Sequence, residues 1–154
     1  MDSAGPDGRQ SPHRSDVVKV QLLHDLARVP TRATSGSAGY DLYAVNHQTV
    51  EAGHQMVIKT GIALELPENT AGILFARSSS ARQKLEIFPG VLDADYRGEV
   101  LILVHNRSSK SIEIRQHQRL AQLLIVPVET PEIQVVQEIA STSRGAQGFG
   151  STGR

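Results

Sequence analysis

The chain of 154 residues balances 16 Lys+Arg against 16 Asp+Glu, a length suited to one domain and a charge that gives no electrostatic footprint for nucleic acid or an acidic membrane. Hydrophobic residues make up 39% but aromatic residues only 4%, with no Trp, so the core must be built from Val, Ile and Leu. The absence of cysteine excludes a disulfide framework, a thiolate zinc site, an iron–sulfur cluster and a cysteine nucleophile.

Residues 1–15 are Gly, Pro, Ser, Asp and Arg-rich with only Met1 and Ala4 apolar, which predicts a disordered leader. They lack the apolar stretch of a secretory signal, and no window approaches the ~18 apolar residues of a membrane span. A soluble protein of the cytosol or nucleus, not secreted, is expected. Val18, Val20 and Leu22 alternate with Lys19 and Gln21 as in a strand. The same stretch also fits a helix through Val18, Leu22, Leu26 and Val29, ending before Pro30; its β-branched start favours the strand. The runs 100–104 and 120–126 are apolar at consecutive positions, the pattern of central strands covered on both faces. Ile112 and Ile114 alternate with Glu113 and Arg115, and Ile133 to Val136 form a further β-branched run, so both read as half-buried or edge strands. Turn residues punctuate the chain at roughly the 8–12-residue spacing of sandwiches and barrels. A compact all-β domain over residues 16–140 follows, with one short helix expected from Ser78, as N-cap, toward Leu85. Residues 141–154 carry Gly145, Gly148, Gly150 and Gly153 with Phe149 as the one large apolar residue, and read as a frayed end or a lid.

Five segments interrupt the apolar pattern with chemistry. In Ser37–Ala44, Gly39 permits close backbone approach, and Asp41 is either an outward-facing strand carboxylate or a functional one set among apolar neighbours. Arg77-Ser78-Ser79-Ser80 follows an apolar strand and offers a guanidinium, hydroxyls and helix-start N–H groups to a phosphate, or else a plain N-cap beside a surface Arg. The hairpin-sized window Gly90–Glu99 holds Asp93, Asp95, Glu99 and Tyr96, fit for base and metal work or for an ordinary polar hairpin. Gln122, inside the run that follows Arg119, needs hydrogen-bond partners unless it faces solvent. The tail 144–153 joins Arg144, Phe149, Ser151 and Thr152 on a flexible backbone. There is no P-loop and no GxSxG elbow, and the six histidines show no metal-ligand spacing and read as scattered surface or loop residues.

Taken together and in order, AGYDL, RSSSA, GVLDADYRGEV followed by Asn106, RLAQL and RGAQGFGSTG resemble the five motifs of the homotrimeric dUTP pyrophosphatases (dUTPases), across residues 38–153. The resemblance implies a jelly-roll-like β subunit with at most one short helix, assembled as a threefold trimer with active sites shared at the interfaces. It implies hydrolysis of dUTP to dUMP and pyrophosphate, keeping uracil out of DNA and supplying dUMP for thymidylate synthesis, with no nucleic-acid or membrane partner. Asp93 would be the catalytic base. Asp41 would act through water on a Mg²⁺ held mainly by the substrate phosphates. Arg77, Ser78, Ser79 and Gln122 would hold phosphate oxygens, the backbone from Ile87 to Leu92, with Gly90 and Val91, would read uracil, and Tyr96 would pack on the deoxyribose. Arg144, Phe149, Gly150, Ser151 and Thr152 would close the tail over uracil and the terminal phosphates. Ala76, Ser79, Ser80 and Gln147 depart from the commonest pattern of the family without removing a group that has a chemical role. A dCTP deaminase-like enzyme and a non-catalytic trimeric binding module on the same fold are the alternatives.

Overall fold

The computed structural model describes residues 17–146; the leader 1–15 and the tail residues Phe149, Gly150, Ser151 and Thr152 lie outside them. In chain order the elements are β1 Lys19–Leu22, β2 Tyr40–Tyr43, β3 Gln48–Val50, β4 Gln55–Glu65, β5 Thr70–Ala76, α1 Ser78–Arg82, β6 Leu85–Ile87, β7 Gly90–Asp93, β8 Glu99–Asn106, β9 Ile112–Ile114 and β10 Arg119–Pro127. The all-β expectation with a single short helix holds, and the first alternating segment is a strand rather than a helix. The helix stops earlier than its sequence allows, because Lys84 adopts φ 56° and turns the chain into β6. No helix among the described residues is long and apolar enough to cross a membrane.

Two four-stranded sheets, ordered β1-β4-β8-β6 and β2-β10-β5-β7, enclose the core, and β3 and β9 form a separate ribbon. Every pairing between these strands is antiparallel, so alternate side chains point into one shared interior. Leu42, Ile58, Leu85, Ile102, Leu120 and Leu123 are among its fully buried members. Asn106 is also wholly buried, its amide donating to the carbonyls of Val50 (2.9 Å) and Lys110 (2.7 Å) while its Oδ1 accepts from the Ser108 N–H and hydroxyl. That one side chain ties β3, β8 and the 107–110 turn together with its hydrogen-bonding capacity met.

Four expectations need correction. The runs in β8 and β10 do lie at interior positions of their sheets, but only one face is covered within the chain. Leu101 and Leu103 are 45% and 37% exposed, beside Val57 at 49%, on the outer face of the first sheet. The window Gly90–Glu99 is not a hairpin: β7 pairs with β5 (Asp93 opposite Ala71), whereas β8 pairs with β4 and β6, so the chain crosses between sheets at residues 94–98. The run Ile133 to Val136 forms no strand, because no sheet edge of this chain receives it, and Ile133 and Val135 are more than nine-tenths exposed. Finally, His105 is neither loop nor free surface: it sits in β8, half-buried, stacked on Phe88 and paired with Glu86.

Candidate active site

The outer face of the second sheet carries the chemistry. Asp41 of β2 lies opposite Gln122 of β10, which lies opposite Phe75 of β5, so these three form one row across the sheet. Asp41 faces outward by alternation with the core residue Leu42, yet it is only 7% exposed. Two guanidiniums cover it. Arg77, just past the end of β5, places Nε 2.7 Å from Oδ1, and Arg119, at the start of β10, places NH1 3.3 Å from Oδ2. The carboxylate therefore meets the requirement that a buried charge be paired on each oxygen. Arg77 is further fixed through NH1 to the Ser79 hydroxyl at 3.3 Å.

Gln122 is held from both sides. Its Nε2 donates to the Ala76 carbonyl at 3.1 Å, and a Cβ placed on Gly39 would stand 2.8 Å from its Oε1. A side chain at position 39 would displace the amide from this position, so glycine there is what lets Gln122 sit as it does. Arg77, Ser78, Ser79, Arg115, His117 and Arg119 line an open polar groove of about 740 Å³ next to this row. Among the described residues no group of three His, Asp or Glu side chains is placed to hold a metal ion. Asp41 thus offers a cation only the lone pairs its two arginines leave.

Asp93 and Tyr96 stand elsewhere. Asp93 lies opposite Ala71, at the far end of β5 from Arg77, and six residues of strand at ~3.3 Å each separate the two levels by roughly 20 Å. The Asp93 carboxylate is exposed and makes no ion pair with the described residues. Three residues on, Tyr96 is 42% exposed; its ring lies over Gly98 and its hydroxyl donates to the Glu99 carbonyl at 3.1 Å. The sequence profile of the dUTPase family matches residues 25–153.

The chain belongs to the dUTPase family.

Relatives at comparable similarity come from distant sources. The deoxyuridine 5'-triphosphate nucleotidohydrolase of Yarrowia lipolytica is 40% identical over 139 residues, covering 88% of each chain. That of Corynebacterium glutamicum is 41% identical over 141 residues, 89% of this chain and 95% of its own. Among solved structures, the Staphylococcus bacteriophage 80alpha dUTPase with dUPNHPP superposes with a TM-score of 0.87 at 31% identity, covering 91% of this chain and all of that one. A D95N mutant dUTPase of the S. aureus phage phi11, described for the coordination of a structural Mg(II) ion, superposes at 0.76 with 30% identity over 80% of this chain and 98% of its own.

Of the residues that the dUTPase motifs mark, the fold gathers Asp41, Arg77, Ser78, Ser79 and Gln122 at one end of the sheet, and Gly90, Val91, Asp93 and Tyr96 at the other edge. Arg144 is exposed and lies beyond the last strand. Motif reading gave Arg119 no role, although it takes half of the Asp41 carboxylate. Its position one residue before an apolar run offers no periodic signal that it shares a face with Gln122.

Proposed function

We propose that the chain hydrolyses dUTP to dUMP and pyrophosphate as a homotrimer in which each site takes Asp93 and Tyr96 from one copy and Asp41, Arg77, Ser78, Ser79 and Gln122 from another. The observation that carries this reading is the separation of roughly 20 Å between Asp93 and Arg77 along β5, too far for one water and one triphosphate to be served by a single chain. Between the two ends the same face is apolar, with Phe75 43% and Val91 69% exposed and Ile73 in the row beside them, a surface suited to a second copy.

In that arrangement Asp93, exposed and without an ion pair among the described residues, takes a proton from water, the water oxygen attacks the α-phosphorus, and pyrophosphate departs toward Arg77, Ser78 and Gln122. β7 is the edge strand of its sheet, so the outward N–H and C=O groups around Gly90 and Val91 are open to the polar edge of uracil. Because the Tyr96 hydroxyl is engaged by Glu99, the ring presents a face rather than a polar tip, and a deoxyribose packs there where a 2′-hydroxyl has no partner. Arg144, with Phe149, Gly150, Ser151 and Thr152 beyond it, closes over the base and terminal phosphates. The described residues form no metal cage, and Mg²⁺ is a cation that keeps waters and would be held largely by substrate phosphates, with Asp41 reached through water. When bound it supplies charge neutralisation on the triphosphate.

The test is pyrophosphate and ammonia release from dUTP, dCTP, dTTP and UTP with Mg²⁺. Pyrophosphate from dUTP alone is expected, with discrimination against dCTP on the order of 10⁴. Ammonia from dCTP would establish a deaminase, and binding without release of either product would establish a binding module.

A further inference from the structure

Arg119 reaches the Asp41 row only because β10 is irregular at its start. In the β2–β10 register Arg119 pairs with Tyr43 and Ala121 with Leu42, so Leu120 is one residue too many for its partner strand. Leu120 and Ala121 are consecutive and both fully buried, at 1% and 0% exposure, as an inserted bulge residue on the core side allows. The extra residue shifts the phase by one. Without it Arg119 would share the core face with Ala121 and Leu123; with it, Arg119 stands on the outer face with Gln122. A bulge that keeps a guanidinium out of the core and aims it at a functional row is a built feature.

What Arg119 does there exceeds pairing with Asp41. One of its five N–H donors is committed to Oδ2, its side chain is 49% exposed, and it lines the groove with Arg77, Ser78 and Ser79. Arg77, by contrast, is 23% exposed and anchored to both Asp41 and Ser79. One carboxylate between two guanidiniums leaves a net positive charge facing the groove. We infer that Arg119 is a substrate-contacting residue, a second guanidinium of the phosphate cradle that binds the β- and γ-phosphates. The inference rests on the dUTP reading of this site.

The experiment is calorimetric binding of dUMP and of an α,β-imido analogue of dUTP to the wild-type chain, R119M, R119K, D41N and the D41N/R119M double variant, with Tm and oligomeric mass recorded for each. R119M is expected to weaken the triphosphate analogue about tenfold or more while dUMP stays within about twofold, since a charged hydrogen-bonding pair to phosphate is lost and nothing near the base changes. R119K, which keeps the charge but not the planar fork, recovers part of the loss and serves as the readout if R119M lowers Tm. The loss persists when R119M is added to D41N. Unchanged analogue binding in R119M, an equal loss for dUMP, or a loss that disappears in the D41N background overturns the contact and leaves Arg119 as a partner of Asp41 only. A wild-type chain that binds dUMP and the triphosphate analogue equally overturns the dUTP reading itself, a result separate from any behaviour of Arg119.

Discussion

The two ends of the second sheet's outer face are built on opposite plans. At the Asp41 end each functional group is engaged by another: Arg77 and Arg119 on the carboxylate, Ser79 on Arg77, Gln122 on the Ala76 carbonyl and against Gly39. At the Asp93 end the residue is exposed and one face of the Tyr96 ring lies open, while the Tyr96 hydroxyl and the Arg97 guanidinium bond only to carbonyls of their own turn, those of Glu99, Ala94 and Tyr96. Binding a polyanion demands donors held in place before the ligand arrives, so that ordering them costs little on binding. A general base demands a carboxylate not already satisfied by a cation. The same face therefore holds a preorganised half and an open half, and under the shared-site reading their separation along β5 makes each half dependent on a second copy for the other.

The comparison breaks most sharply if the halves are disabled on different chains. Asp93→Asn should lower kcat by about 10² to 10⁴ while leaving analogue binding intact, and Arg77→Gln should abolish most binding. Equal co-refolding of the two variants gives mixed trimers in which roughly a quarter of sites combine a sound Asp93 with a sound Arg77 under closed cyclic symmetry. Activity should return to that level; mixed trimers confirmed by mass that stay as inactive as their parents would show that both halves come from one chain.

A smaller change sharpens the role of packing at the engaged end. Gly39→Ala places a methyl 2.8 Å from the Gln122 Oε1 and 3.3 Å from its Cβ, so the amide must leave its seat. A drop of about tenfold in kcat/KM with a stability cost of about 1 kcal/mol is expected. Gly36→Ala, where nothing lies within 4 Å, is the control and should match wild type. Equal kinetics for the two variants would remove the steric argument for Gly39.

The smallest effect lies away from both ends. The Glu65 side chain is half-exposed, and its pKa is lowered chiefly by the hydrogen bond from Lys19 Nζ at 2.7 Å, with the Lys19 charge as second cause. A carboxylate depressed in the folded state stabilises at neutral pH, and that contribution is lost as pH falls through the folded value. Glu65→Gln should lower Tm slightly at pH 7, and the difference from wild type should vanish on acidification; a difference that grows instead would contradict the pairing.

The strands that position the site were readable because alternation in Val18–Leu22 and Ile112–Ile114 and the apolar density of 100–104 and 120–126 report local periods. The motif residues were readable for the same local reason: each stands as a polar or glycine interruption. Pairing was not. Whether β7 joins β5 or β8 is decided by which sheet receives it after the Phe88-Pro89 corner, a long-range matter, and the one-residue shift at Leu120 leaves no trace in the order Arg-Leu-Ala-Gln. The burial of Asp41 under Arg77 and Arg119 joins residues 36 and 78 positions apart, which no spacing rule connects. The run from Ile133 misleads for the opposite reason: its composition fits a strand, but composition names no partner edge.

That last stretch has a consequence for the life of an unassembled chain. Residues 129–140 form no helix or strand, and Ile133, Val135 and Ile139 are each at least 87% exposed. Backbone without ladder hydrogen bonds and with accessible apolar side chains is the preferred entry point for a protease and a nucleus for misassociation. Where a neighbouring copy covers that stretch, a copy that has found its neighbours and one that has not then differ in durability as well as in activity. Subunit concentration would set the half-life of the chain, and stray single copies, which could not hydrolyse anything, would be the ones cleared first.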